Sequence, residues 1–407
     1  MAARPTLSAL TGLRFLAALH VVFFHYTDVP LKAAPGWIHN IIGAGLTGVD
    51  LFFILSGFVL AYNYLDGRRI DRREFWLARF ARIYPAHLLG VLMLAPFIAY
   101  AHFASLPPSA AAGKVATEAT LALTLTQAWV PGEWPIWNGP AWSLGAEAFF
   151  YALFPLLGIW ILRIRGRWLP VALIAFWMLA LIRPASNIMI NSLSWAPIGY
   201  ANPLLRLPEF LMGIALGRLF ITYGRWRFGG ILANTGLFGF LAVIGIGVLG
   251  INGFLARTAL RFVNVPFLYE ALLLVFLALL IYGLAHGRGI LAKLLSLPVM
   301  LALGEASYAV YILQIPVAAW VKGLTEHRMD PMMMPNIKFF DSLPYFLAYL
   351  AILVMVSIIS HRAIESPART AIKRTFGRKG RERTVVDASA TPPVPVAPVA
   401  AEAGKLS

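Results

Sequence analysis

The sequence predicts an all-α integral membrane protein, a bundle of about ten transmembrane helices with both termini in the cytoplasm. Its composition predicts the class, because 59% of the 407 residues are hydrophobic and only 13% are charged. Soluble globular domains carry roughly a quarter charged residues. The mean hydropathy of +0.74 agrees with a membrane protein. The absence of cysteine excludes disulfides, thiolate metal sites and a cysteine nucleophile.

Ten segments are apolar and long enough to cross a bilayer, which takes roughly 20 residues of helix. They are 8–27, 41–65, 83–105, 139–162, 168–184, 203–222, 229–250, 264–284, 297–321 and 342–364. An eleventh stretch, 115–130, is short and carries Glu118. We expect it to lie at the outer face or to re-enter the membrane.

The lysines and arginines predict the orientation, because these residues collect in cytoplasmic loops. With the N-terminus inside, 23 of them fall in cytoplasmic segments and seven in outer loops. This bias accounts for the net charge of +16 without a nucleic-acid partner.

Two regions differ in composition. Residues 1–370 form the transmembrane domain, and 371–407 begin with the basic run KRTFGRKGRER and end rich in proline and alanine. Such a tail cannot bury a core, so we expect a disordered cytoplasmic segment whose basic part rests on anionic lipid.

The first helix carries two ionisable residues inside its apolar run, Arg14 and His25. Eleven residues of α-helix are three turns plus roughly 20°, so the two side chains share a face, about 16 Å apart along the axis. Ionisable groups in lipid are costly and mark functional candidates. The alternative is that each side chain reaches to its nearer headgroup layer.

Two carboxylates, Asp50 and Glu147, fall near the outer ends of their helices, at the predicted depth of His25. A histidine oriented by a carboxylate is a general-base arrangement for deprotonating a hydroxyl. Asp50 could instead cap the following turn, and Glu147 could pair with Arg206. We expect Arg206 and Glu209, three residues apart, to pair with each other.

The loop after the second helix is rich in arginine, at positions 72, 73, 79 and 82 (Arg72, Arg73, Arg79, Arg82). The last two share a helical face, and the guanidinium fork suits phosphate. The cluster predicts a cytoplasmic site for a phosphorylated cofactor; the alternative is positive-inside charge without a ligand.

The ninth predicted helix contains GEASYAVYILQIPV, with Tyr308, Tyr311 and Gln314. This polar face either joins helices or contacts substrate. The histidines show no metal-ligand spacing, so we predict no metal.

These stretches together resemble the membrane-bound acyltransferase 3 family, the bacterial cell-surface O-acyltransferases. The matching motifs are LTGLRFLAALHVVFFHY, GVDLFFILSGFVL, FWLARFARIYP, WSLGAEAFFY, SYAVYILQ and IESPAR, which follow the family's order over residues 8–370. The resemblance implies about ten transmembrane helices, an acyl-CoA donor from the cytoplasm, and a hydroxyl acceptor near the outer face.

The resemblance also implies roles for single residues. Arg14 and His25 match the family's essential arginine and histidine, and Arg79 with Arg82 matches its basic motif. Glu147 matches the glutamate after WSL. Gln314 departs from the pattern, because many relatives have histidine there, and an amide cannot titrate.

We therefore predict an O-acyltransferase of the bacterial inner (plasma) membrane that moves an acyl group, expected to be acetyl, from acyl-CoA to a glycan or small molecule. His25 acts as general base or transient acyl carrier, oriented by Asp50 or Glu147. Arg14 binds the thioester or pantetheine arm. The extracytoplasmic hydrolase-like domain of some relatives is absent from the sequence, so a separate partner enzyme could supply a later step. The alternative function is a transporter or flippase for a lipid-linked saccharide.

Overall fold

The computed structural model describes residues 7–27, 30–65, 70–130, 136–184, 200–255, 265–326 and 340–377. Within these ranges the regular structure is helical and contains no strand. The all-α prediction is confirmed. Of the predicted cytoplasmic arginines, Arg68 and Arg69 lie outside the described residues.

Fourteen α-helices follow one another along the described chain. They are α1 (Ser8–Tyr26), α2 (Gly36–Gly43), α3 (Thr47–Tyr64), α4 (Arg72–Ser105), α5 (Pro108–Thr124), α6 (Trp142–Leu162), α7 (Leu169–Ala180), α8 (Pro203–Tyr223), α9 (Gly229–Leu255), α10 (Val265–Ala285), α11 (Ile290–Leu295), α12 (Pro298–Glu326), α13 (Leu343–Ser360) and α14 (Ser366–Phe376).

Nine helical stretches in the described ranges are long and apolar enough to cross a membrane. The predicted span 203–222 is not among these nine. It corresponds to α8, a 21-residue helix that carries Arg206, Glu209 and Arg218. The stretch at 115–130 falls in α5, which is not among the nine. Within this region Glu118 contacts His102 at 3.1 Å and Lys114 at 3.5 Å.

Helix α4 is longer than the predicted segment 83–105. It begins at Arg72, where the Asp71 side chain accepts a hydrogen bond from the Glu74 N–H. The four arginines that we assigned to the loop, Arg72, Arg73, Arg79 and Arg82, therefore all lie on one helix.

Two glycine contacts set how closely the central helices pack. On α3 and α8, a Cβ added at Gly57 or Gly213 would overlap the backbone of the opposite helix. The same holds for Gly304 of α12 against Thr11 of α1. Small residues let membrane helices approach backbone to backbone, where dispersion contacts replace the missing hydrophobic driving force. These glycines thereby bring α3 close to α8 and α12 close to α1.

The end of the described chain turns back onto α4. A π-helical turn, His361–Glu365, joins α13 to α14, and Arg73 Nη2 donates a hydrogen bond to the Phe376 carbonyl at 3.2 Å. The predicted boundary at 370 thus lies inside α14. The tail from 378 onward lies outside the described residues, so its disorder stays a prediction.

We expect Gly213→Leu to lower the thermal stability of the purified protein, because the new side chain would meet the Ile54 carbonyl of α3. Overpacking costs about 1–3 kcal/mol or more. Thermal unfolding in detergent, followed by size-exclusion chromatography, measures the effect. Gly245→Leu on α9 is the matched control, since an added Cβ there meets nothing within 4 Å. Equal unfolding temperatures for both variants would contradict the close α3–α8 packing.

Candidate active site

One cavity of about 240 Å³ collects four of the charged residues that the sequence singled out, together with a further arginine. Arg14 of α1, Arg79 and Arg82 of α4, Glu147 of α6 and Arg369 of α14 all line it. We call it the basic cavity. Four guanidinium groups face a single carboxylate among the lining residues, so the cavity carries excess positive charge.

Glu147 belongs to this basic group and not to the surroundings of His25. Its carboxylate interacts with the hydroxyls of Ser56 and Tyr151 and with the charges of Arg82 and Arg14. The Ser56 and Tyr151 hydroxyl oxygens are 3.2 Å apart. Glu147 lies five residues into α6, about 7.5 Å along its axis.

Aromatic side chains position the arginines of α4. The Arg79 guanidinium carbon lies 5.8 Å from the Tyr64 ring centroid and 5.9 Å from those of Phe75 and Tyr151, within cation–π range. Arg72 and Arg73 are exposed at the start of the helix and do not line the cavity. Two of the four predicted phosphate-binding arginines thus reach it.

Tyr308 and Tyr311 of α12 form part of the wall. The Tyr308 hydroxyl donates to the Ile83 carbonyl at 2.5 Å. The Tyr311 hydroxyl lies 2.9 Å from Ser143 Oγ. Both rings are therefore fixed by hydrogen bonds to neighbouring helices, α4 and α6. A ligand in the basic cavity would contact a rigid surface on this side.

His25 of α1 does not line the basic cavity. It contacts Gln314, which lies one turn after Tyr311 on α12. Its Nδ1 is 2.8 Å from the Val21 carbonyl oxygen, and its imidazole interacts with the Gln314 side chain. Gln314 Nε2 donates to the Tyr311 carbonyl at 2.7 Å, and the Tyr349 hydroxyl donates to the Gln314 carbonyl at 2.9 Å. Gln314 is fully buried and links the histidine to the tyrosine wall.

The orientation of His25 differs from our expectation, because a backbone carbonyl takes the part assigned to Asp50 or Glu147. The bond to Val21 requires the proton on Nδ1, which leaves the Nε2 lone pair available as a base. Asp50 has other partners: Arg206 Nη1 lies 2.6 Å from its Oδ1 and 2.9 Å from Glu209 Oε1. The expected Arg206–Glu209 pair is present, and Asp50 extends it.

The lining also contains residues that were not singled out in the sequence, among them Ser56, Tyr151 and Arg369. Arg369 lies in the motif IESPAR, but in the sequence nothing distinguishes it from the other arginines that we assigned to the cytoplasmic side. Its proximity to Arg79 and Arg82, whose charges repel it, arises from the packing of α14 on α4. No group of three histidine, aspartate or glutamate side chains suited to a metal occurs in the part of the chain that the structure describes.

The fold and the basic cavity define a multi-pass membrane protein with an intramembrane site suited to an anion. A family model described as "Acyltransferase domain" matches residues 7–362. The chain belongs to this family and is an acyltransferase. Family membership decides against the transporter alternative.

Named relatives support the same class. The chain is 30% identical to Acyltransferase MdmB of Streptomyces mycarofaciens, over 94% of this chain and 95% of that protein. It is 24% identical to the O-acetyltransferase OatA of Staphylococcus aureus over 89% of this chain. It is 26% identical to the putative peptidoglycan O-acetyltransferase YrhL of Bacillus subtilis over 91% of this chain.

The relatives differ in length. The matched part spans 57% of OatA and 56% of YrhL, so both proteins extend beyond the region that they share with this chain. No solved structure matches the fold.

We expect Glu147→Ala to lower the unfolding temperature, because it leaves the four guanidinium groups of the basic cavity without a carboxylate. Unpaired charges at low dielectric are costly. Added pyrophosphate should raise the unfolding temperature of this variant more than that of the wild type, by mass action on a more positive site. Glu305→Gln, at an exposed position of α12, is the control. An unchanged melt and an unchanged pyrophosphate response would show that Glu147 does not balance these charges.

Proposed function

We propose that the protein is an integral membrane O-acyltransferase that moves an acyl group, expected to be acetyl, from cytoplasmic acyl-CoA to a hydroxyl. The acceptor is a cell-surface or exported glycan or a small molecule. The observation that carries the proposal is a positively charged cavity whose wall leads, through Tyr311 and Gln314, to a histidine with a defined tautomer. The name of YrhL, a putative peptidoglycan O-acetyltransferase, favours a cell-wall saccharide.

The phosphates of the donor would bind at the end of the cavity near α14. Arg79, Arg82 and Arg369 meet there, and guanidinium groups make charge-assisted, bidentate hydrogen bonds with phosphate. Mutual repulsion among three cations is costly without a ligand. A polyanion relieves that repulsion, which favours CoA over a neutral donor. This end would face the cytoplasm of a bacterial plasma membrane.

The acyl-pantetheine arm would extend along α3. The lining residues of that helix run from Val49 to Asn63, which is about 21 Å at the helical rise. Arg14 lies beside this path and can donate hydrogen bonds to the amide carbonyls of the pantetheine arm as it extends toward His25. Tyr308 and Tyr311 border the same path. Glu147 then moderates the field of Arg14 and Arg82 instead of orienting the base.

The transfer step needs one base and no metal. The acceptor oxygen attacks the thioester carbonyl carbon and gives its proton to His25 Nε2, so that a C–O bond forms and the C–S bond breaks. The imidazolium returns the proton to the leaving sulfur, which yields an ester and the free thiol of CoA. The Nδ1 bond to Val21 keeps the imidazole in the required tautomer throughout.

We expect His25→Ala to lower acyl transfer by at least about 100-fold, the usual contribution of a general base. Thiol release from acetyl-CoA by protein in nanodiscs measures the rate, and thermal unfolding verifies that the variant folds. His20→Gln on the same helix is the control, since His20 Nε2 lies 2.6 Å from the Ile41 carbonyl and serves packing. Full activity in folded His25→Ala protein would contradict the assignment.

We expect Arg369→Gln to raise the KM for acetyl-CoA about tenfold or more, because it removes a charge-assisted phosphate contact. The KM for S-acetyl-pantetheine, which lacks the nucleotide phosphates, should change far less. Steady-state kinetics with both donors measure the difference. The control is Arg374→Gln, an exposed arginine on α14 outside the cavity lining. Equal effects on both donors would show that Arg369 supports the fold and not the phosphates.

A further inference from the structure

A second cavity, of about 450 Å³, lies at the opposite end of α3 from Arg369. Its walls include Thr47 and Asp50 at the start of the helix, whereas the basic cavity extends to Asn63 near the helix end. Sixteen residues separate Thr47 from Asn63, about 24 Å along the axis. We call it the polar cavity. The motif residue Asp50 lines it, but the transfer step described above does not use it.

The polar cavity is built by a break in α9. Gly247 has φ 68° and ψ 172°, which interrupts the helix, and Gly247 and Val248 line the cavity. Asn40 of α2 donates from Nδ2 to the Gly245 carbonyl at 3.0 Å, one of the groups that the break leaves without an intrahelical partner. Non-helical backbone at membrane depth is tolerated where it is buried or lines a wet cavity. The break in α9 therefore forms part of the cavity wall.

The charges around the polar cavity balance, in contrast to those of the basic cavity. Arg206 contacts Asp50 and Glu209, and Arg183 contacts Glu270 and lies 3.9 Å from Asp50. The lining thus holds two guanidinium groups and two carboxylates, those of Asp50 and Glu270, and Glu209 adds a third carboxylate behind Arg206. An anionic ligand, including any phosphate, is disfavoured by this arrangement.

The lining offers both donors and acceptors to an uncharged ligand. His39, Thr47 and Tyr269 line the cavity beside the ion pairs. Hydroxyl groups donate and accept at once, so a ligand with many hydroxyls satisfies such a mixed surface, and aromatic rings add contact area. A neutral saccharide has this chemistry.

A thin wall separates the two cavities. Arg206 lines the polar cavity, and its guanidinium carbon lies 5.9 Å from the ring centroid of Phe53, which lines the basic cavity. The polar cavity also lies at the end of the bundle where α1 carries His25. Gly45, beside the lining residues Ala44 and Leu46, packs against Phe24.

We propose that the polar cavity binds the uncharged saccharide part of the acyl acceptor. The donor would then enter from one end of α3 and the acceptor from the other. This inference rests on the proposed function for its role in transfer. The binding itself can be measured without catalysis.

Filling the cavity tests the proposal. Gly43 of α2 lines it, has a helical backbone with φ −58° and ψ −24°, and an added Cβ there meets nothing within 4 Å. Gly43→Phe therefore adds a ring at the wall of the cavity, on a Cβ that meets no neighbouring atom. Gly36→Phe is the matched control on the same helix, because Gly36 also faces open space but does not line the cavity.

The measurement is saturable binding of two neutral glycans, N-acetylchitotetraose and maltotetraose, to protein in nanodiscs by isothermal titration calorimetry. Deacetylated chitotetraose and tetragalacturonate serve as cationic and anionic probes. We expect the wild type and Gly36→Phe to bind at least one neutral glycan, and Gly43→Phe to bind it at least about tenfold more weakly.

Three outcomes would overturn the inference: no neutral glycan binds, only a charged probe binds, or Gly43→Phe binds as well as Gly36→Phe. Thiol release from acetyl-CoA is measured on the same wild-type preparation. Release without glycan binding removes the acceptor site and leaves the acyltransferase. Glycan binding without thiol release contradicts the donor and leaves the saccharide site.

Discussion

The cost of placing charge inside a membrane governs this structure. A charged side chain at the bilayer centre is unfavourable by several kcal/mol on insertion scales, so each must find a partner or a wet cavity. The chain uses both solutions. Around Asp50 the arginines and carboxylates neutralise one another. In the basic cavity, four arginines face Glu147 alone. The second arrangement is stable only if water or an anion completes it, which is why it marks the site.

Helix α3 is the element that both cavities share. Its glycine contact with α8 brings the two backbones close enough for Arg206 to reach Asp50, and its opposite face borders the path from Arg14 to the tyrosines of α12. The same helix therefore carries a neutral ion cluster at one end and an open cationic cavity at the other. That asymmetry gives the bundle two sites for ligands of different charge.

The histidine shows how a local bond can replace a distant one. His25 bonds to the Val21 carbonyl one turn earlier on its own helix, so its tautomer does not depend on a carboxylate from another helix. The Gln314 side chain interacts with the same imidazole and is itself held by the bond from its Nε2 to the Tyr311 carbonyl. The position cannot titrate, so it steadies the base without competing for its proton.

The sequence by itself determined the fold class, nine of the ten predicted spans and the shared face of Arg14 and His25, because hydropathy and helical periodicity are local properties. It also marked Arg79, Arg82 and Glu147 as candidates. Only the tertiary structure decided which of them are in contact. Glu147 lies among the arginines of the basic cavity, Asp50 pairs with Arg206, and Arg369 lines the basic cavity. These contacts join helices that are far apart in the chain. Their distances depend on how the helices pack and, for Arg369, on the π-helical turn His361–Glu365, and residue spacing in the sequence predicts neither.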